Sequence, residues 1–128
     1  MKIHAAIPVL RSFSEAKAHE FYVEFLGFAV LWEHRFEPGL PLYMALKRGD
    51  LELHVSEHHG DATPGSTVFV PITGIDALHA ELNAKRYGYA RPGIAVQAWG
   101  RELTVTDPCG NRLRFTELDT PAASTPGA

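Results

Sequence analysis

Apolar positions recur in two rhythms along this chain, every second residue and every third or fourth. Ile3 to Leu10 predicts a first strand. Ser12-x-x-Glu15 has the spacing of a helix-capping box. Ala18, Phe21, Tyr22 and Phe25 then fall on one helical stripe, and Gly27 marks its stop. Phe28 to Phe36 reads as extended, and Glu37-Pro38-Gly39 turns the chain into a strand from Pro41 to Lys47. Arg48-Gly49-Asp50 turns it again into Leu51 to Ser56. Glu57 to Ser66 is polar, contains Pro64-Gly65, and reads as a linker.

The same order then begins again. Thr67 to Ile72 predicts a strand, Thr73-x-x-Asp76 a second cap, and Ile75, Leu78 and Leu82 a helix face ending near Gly88. A short strand follows at Gly93 to Gln97. The stretch from Gln97 to Phe115 reads as two strands joined by a tight turn at Asp107-Pro108-Cys109-Gly110-Asn111. In that turn Asp107 can bond its own downstream backbone, Pro108 fixes φ, and Gly110 supplies a positive φ. Leu103, Val105, Leu113 and Phe115 share one face of the hairpin, and Glu102, Thr104, Arg112 and Arg114 the other. Pro8 and Pro71 stand 63 residues apart, and Gly27 and Gly88 stand 61 apart. The pattern is an internal repeat of two βαβββ units, about residues 1–56 and 67–118. The fold class is α+β, with the two units forming a curled mixed sheet that leaves an open cleft. Residues 1–118 read as a single domain and 119–128 as a disordered tail of Pro, Ala, Ser, Thr and Gly.

Composition narrows the function classes. With 128 residues the chain is long enough for a core, and its net charge of −3 is spread over interspersed acids and bases. No basic patch points to nucleic acid, no apolar run would span a membrane, and the start lacks a signal-peptide core. The single cysteine, Cys109, forbids an internal disulfide and suits a cytoplasmic location. Its place in a turn, with only Arg112 and turn amides nearby in sequence, does not make it a nucleophile.

The repeat, Leu26-Gly27-Phe28 after the first helix, and Asp107-Pro108-x-Gly110-Asn111 resemble the vicinal oxygen chelate superfamily. That group includes glyoxalase I, extradiol dioxygenases, fosfomycin-resistance thiol transferases and bleomycin-resistance proteins. The resemblance covers residues 3 to 118. It is nearest to the bleomycin-resistance proteins, through Ile7-Pro8-Val9-Leu10, Gly74-Ile75-Asp76-Ala77-Leu78 and Trp99-Gly100-Arg101-Glu102.

Enzymes of this superfamily hold a divalent ion with His and Glu from the strands, so seven histidines must be tested by position. The carboxylate expected seven residues after the turn Asp is replaced by Arg114, whose guanidinium has no lone pair to give a cation. The other ligand positions fall near Ile7 and near Thr67 or Val68, and Glu52 matches the remaining one. His19 and His79 lie on helices, and His58 and His59 lie in the linker. An unorthodox set of His4, Glu52 and His54 is the alternative, and it would make the chain a metal-dependent glyoxalase- or dioxygenase-type enzyme. The favoured expectation is no catalytic residue, no metal and no cofactor.

Aromatic residues point instead to a binding groove. Trp32 and Phe36 fall on one face of the second strand with Phe28, Val30 and His34. Tyr43, Phe69 and Trp99 lie on or beside later strands. A flat aromatic wall suits a planar ligand, each ring pair adding about 0.5–1.5 kcal/mol beyond burial. Glu52, His54, Glu102 and Arg114 would set its polarity, with Arg101 and Arg112 near the cleft. Glu52 and Glu102 could pair for general acid/base work, but the favoured reading is a salt-bridge set in which Arg112 and Arg114 neutralise the two acids. The resemblance implies non-enzymatic sequestration of a bleomycin-class glycopeptide, or a similar planar molecule, between the subunits of a homodimer. It also implies that the dimer forms by exchange of the first strand.

Overall fold

The structure, a computed structural model, describes residues 1–88 and 91–120. The expected disordered tail lies, from residue 121 onward, outside the described residues. Eight strands and two helical elements follow in the order β1 (Val9–Arg11), α1 (Glu15–Ala18), β2 (Ala29–His34), β3 (Tyr43–Arg48), β4 (Leu51–Ser56), β5 (Thr67–Pro71), α2 (Ile75–Ala84), β6 (Ile94–Gln97), β7 (Gly100–Thr106) and β8 (Arg112–Leu118). This is the expected α+β pattern of two βαβββ units, realised as two four-stranded mixed sheets of order β1-β4-β3-β2 and β5-β8-β7-β6. In each sheet the first strand of the unit pairs in parallel with the last, and the other pairings are antiparallel.

Two compact units result. One comprises Met1–Ser66 together with Asp107–Asn111, and the other Thr67–Thr106 with the chain from Arg112. The turn between β7 and β8 thus belongs with the first unit.

In the first unit, Leu10, Met44, Leu46, Leu53 and Val55 are buried on one face of the sheet. The opposite face carries Trp32, Tyr43, Ala45, Lys47, Glu52, His54 and Ser56. The two-residue turn Gly49-Asp50 sets this register, since Arg48 pairs with Leu51 and Gly49 takes φ 59°. Several sequence expectations shift. The first strand is only three residues long, so Ile3 to Pro8, His4 included, lie ahead of it and outside any strand. The helix is capped by Ser14, whose hydroxyl accepts from Lys17 N, and not by Ser12. Ser12 Oγ accepts from Ser14 N and so tightens the approach. Beyond Ala18 the helix widens into a π-helix (His19–Phe25), and its stripe of Ala18, Phe21, Tyr22 and Phe25 is buried as expected. Gly27, at φ 72°, ends it.

β2 is interrupted by a bulge. Val30 stands opposite Leu46 and Trp32 opposite Ala45, so Leu31 is an extra residue. Alternation is broken there, and Phe28 and Val30 do not share the face of Trp32. Phe28 is buried against Tyr22, edge to face at 6.2 Å. The strand also stops at His34, two residues before Phe36, where the Glu37-Pro38-Gly39 turn begins to bend the chain. Arg35 closes that loop by donating to the Leu40 carbonyl and pairing with Glu15.

In the second unit, Leu103, Val105, Leu113 and Phe115 are buried on one face as expected, and α2 lies against β7 and β8. The second predicted cap is absent. Gly74 precedes the helix in a left-handed conformation, and the Glu117 carboxylate accepts from the amides of Gly74 and Ile75. Gly100 opens β7 in a place no other residue could take. An added Cβ would lie 2.9 Å from Leu118 Cα and collide with the Glu117 carbonyl.

Candidate functional site

On the face of the first sheet opposite its buried residues, three side chains form a continuous hydrogen-bonded chain. The Tyr43 hydroxyl lies 2.6 Å from His54 Nδ1, and His54 Nε2 lies 2.8 Å from Glu52 Oε2. A carboxylate can only accept, so Nε2 carries the ring hydrogen. In the neutral ring Nδ1 is then the acceptor, and the tyrosine O–H donates to it. Burial, then the Asp61 carboxylate, push the Tyr43 phenol above its ordinary value, which keeps that proton in place. Trp32 stacks almost parallel on Tyr43, with centroids 5.7 Å apart, and meets His54 edge-on at 5.3 Å. It is nevertheless 47% exposed. Ala45 and Ser56 are the small buried residues of the same face. Phe36, 74% exposed, makes edge contacts with His34 and His58.

The face of the second sheet opposite Leu103, Val105, Leu113 and Phe115 is ionic. Glu102 is nearly buried, and its Oε2 accepts from Arg114 at 3.2 Å, Thr116 at 3.0 Å and Trp99 Nε1 at 3.4 Å. Burial pushes this carboxyl up, but the three donors outweigh burial and hold it below the ordinary glutamate value. Arg114 also lies over the Phe69 ring at 5.7 Å. Phe69 and Trp99 remain exposed by nearly half. The nine sequence-derived residues therefore gather into two sets, Trp32, Tyr43, Glu52 and His54 with Phe36 at the margin, and Phe69, Trp99, Glu102 and Arg114.

The basic residues divide differently from expectation. Arg114 neutralises Glu102, whereas Arg112 donates to Thr67 Oγ1. Arg101 stands one strand position from Glu102 and so faces the other way. There it pairs with Asp76 and Glu117, where α2 begins. Two features escaped sequence reading. Thr116 was overlooked as a donor to Glu102, although a register counted from the Asp107 turn places it opposite. Tyr43 was seen only as a ring, although the Gly49-Asp50 turn places it diagonally from His54.

The Asp107 turn has a structural task. Asp107 Oδ1 accepts from the amides of Cys109 and Asn111, and Oδ2 accepts from Asn111 Nδ2 and, at 2.6 Å, from the Tyr22 hydroxyl. Asn111 also donates to the Arg11 carbonyl and accepts from Ser66 N. Burial, then the charge of Asp107, push the Tyr22 phenol far above its ordinary value.

A family model described as glyoxalase superfamily protein matches residues 1–121. The chain belongs to the glyoxalase superfamily. Among solved structures, this glyoxalase-superfamily chain is similar to the bleomycin-binding protein of bleomycin-producing Streptomyces verticillus, solved with copper(II)-bleomycin. Identity is 29%, coverage 91% of this chain and 98% of that one, and TM-score 0.69. It shares its fold with TnmS3, an antibiotic-binding protein from a Streptomyces strain, at 22% identity, 93% and 99% coverage and TM-score 0.71. It shares it also with a bleomycin resistance determinant encoded on transposon Tn5, at 24% identity, 92% and 100% coverage and TM-score 0.69. No curated protein matches the chain in sequence.

The divalent ion held by enzymes of the glyoxalase superfamily does not fit the residues present here. Arg114 occupies the position expected for a carboxylate ligand and is bonded to Glu102. Both ring nitrogens of His54 are engaged, and His4 lies outside the strands. Among the described residues, no three His, Cys, Asp or Glu side chains converge as a metal-binding group. No helix among them is long and apolar enough to cross a membrane.

Proposed function

We propose that this protein binds and sequesters a bleomycin-class glycopeptide antibiotic, or a similar planar small molecule, without altering its bonds. Residues 1–118 act as one binding domain, and two copies form a homodimer with the ligand groove at their interface. Trp32, Tyr43 and Phe36, with Phe69 and Trp99, supply rings for the planar part of the ligand. Glu52, His54, Glu102 and Arg114 set the polarity around it. The observation that carries this reading is the Trp32–Tyr43 stack, an aromatic pair left half open on a sheet face that is otherwise polar. An exposed tryptophan braced from behind loses little freedom when a flat ligand arrives. The likeness to a bleomycin-binding protein at 29% identity supports the same reading.

Calorimetry with bleomycin on chelator-treated protein tests it. Saturable heat is expected, together with protection of DNA from drug cleavage. Trp32→Ala should weaken binding about tenfold, the loss of one well-placed aromatic contact. No heat and no protection would sink the proposal, and sedimentation that finds only monomer at binding concentrations would remove the interface groove.

A further inference from the structure

We propose that the face of the second sheet bearing Arg112 and Arg114 is a binding site for the phosphate monoester of a small molecule, a ligand class that goes beyond the proposed drug binding. Backbone register lays the site out in rows. β5, β8 and β7 lie side by side, and Thr67, Arg112 and Thr106 stand in one row across them. Phe69, Arg114 and Thr104 form the next row, two residues along, and Thr116 and Glu102 belong to the third. Residues two apart on a strand point the same way, so both guanidiniums rise from one face.

The charges on that face do not balance. Glu102 is the one carboxylate that the strands place there, and its Oε2 is taken by Arg114, Thr116 and Trp99. Arg112 has no carboxylate partner among the described residues and donates to the Thr67 hydroxyl at 3.1 Å. Four residues of strand, about 13 Å at 3.3 Å each, separate it from Thr116, which stands opposite Glu102. The Asp107 carboxylate is buried and spent on its own turn and on Tyr22. In a chain of net charge −3, an arginine is thus left without a counter-charge in a row of exposed hydroxyls. Like charges close together on a sheet face repel, and an incoming dianion relieves that repulsion.

The donors are also held ready. Arg114 is braced by Glu102 and lies over the Phe69 ring at 5.7 Å, and Arg112 is tied to Thr67. A guanidinium carries five N–H groups, and these bonds use one on each arginine. The others, with the exposed hydroxyls of Thr67, Thr104 and Thr106, can meet the oxygens of one phosphoryl group, which accepts from several donors at once.

Titration with phenyl phosphate, phenyl sulfate and phenol tests the site, at fixed ionic strength and about pH 7.5, where a phosphate monoester is a dianion. The readout is NMR at the Nε–H signals of Arg112 and Arg114. Phenyl phosphate should shift both saturably, the monoanionic sulfate should bind severalfold more weakly, and phenol should shift neither. Arg112→Gln should weaken phenyl phosphate about tenfold, as the loss of a hydrogen bond to a charged group does. Arg112→Lys, which keeps the charge but not the fork, should recover only part of that loss. Lys85→Gln removes the same charge at the end of α2, the helix that Arg101 meets on the opposite face, and should change binding little. If Arg112→Gln costs no more than Lys85→Gln, the attraction is one of net charge and the site is refuted. Equal binding of the sulfate and the phosphate refutes the ligand class. Arg112 is not among the residues proposed to hold the drug, so either reading can fail without the other.

Discussion

Tyr22 and Asp107 stand 85 residues apart in sequence, yet they make one of the shortest polar contacts in the molecule, at 2.6 Å. The bond matters because its surroundings are buried, so a lost partner is not replaced by water. Tyr22→Phe keeps the ring packing against Phe21 and Phe28 and removes only the hydroxyl. It should cost about 1–2 kcal/mol in urea denaturation. The turn chemistry of Asp107 was legible from its own motif, whereas Tyr22 looked like one more apolar position on a helical stripe. Sequence spacing shows which face a side chain takes but not which distant group waits there. Glu102 gives a second test. Its folded carboxyl is held below the ordinary value of 4.5, so its contribution to stability is present above that value. The contribution is lost as pH falls through the depressed folded value. Arg114→Met should raise the Glu102 pKa, flatten this acid limb, and destabilise by about 2 kcal/mol at neutral pH. Denaturation curves recorded from pH 3 to 7 (about the range over which carboxylates titrate) check both effects.

Elements were legible where one residue type forces a geometry. The Gly49-Asp50 and Asp107–Asn111 turns and the buried alternation of β7 and β8 follow directly from the sequence pattern. The failures were at ends. Ser-x-x-Glu and Thr-x-x-Asp both suggested caps, but the first helix took its cap two residues later, and the second took a carboxylate from β8. A cap supplied from another strand leaves no local trace. Glu117→Ala should therefore speed amide exchange at residues 75 to 78 while leaving exchange within β4 unchanged. The same carboxyl is held below its ordinary value, first by the Gly74 and Ile75 amides and then by Arg101. Protection at the start of α2 should accordingly be complete above the ordinary glutamate value and fade as pH falls through the lowered one.

At the scale of the whole molecule, the repeat seen in the sequence does not mark where the chain could be cut. The first unit ends at Ser66 but also needs Asp107–Asn111. Without that turn, the Tyr22 hydroxyl, the Arg11 carbonyl and the Ser66 amide each lose the bond described above. A fragment of residues 1–66 should give a collapsed, poorly dispersed NMR spectrum, and adding a peptide of residues 103–115 should not fully restore it, because joining two chains costs association entropy. The bulge in β2 has a consequence for how such proteins diverge. Leu31 acts as a frame-setting residue for surface chemistry. Removing it would leave Trp32 opposite Ala45 in plain alternation, with the aromatic face intact. Pairing Leu31 in the ladder would instead send Trp32 to the side of Met44, into the core. A one-residue change of register, with no change of side chain, can thus rewrite what a face of this fold displays.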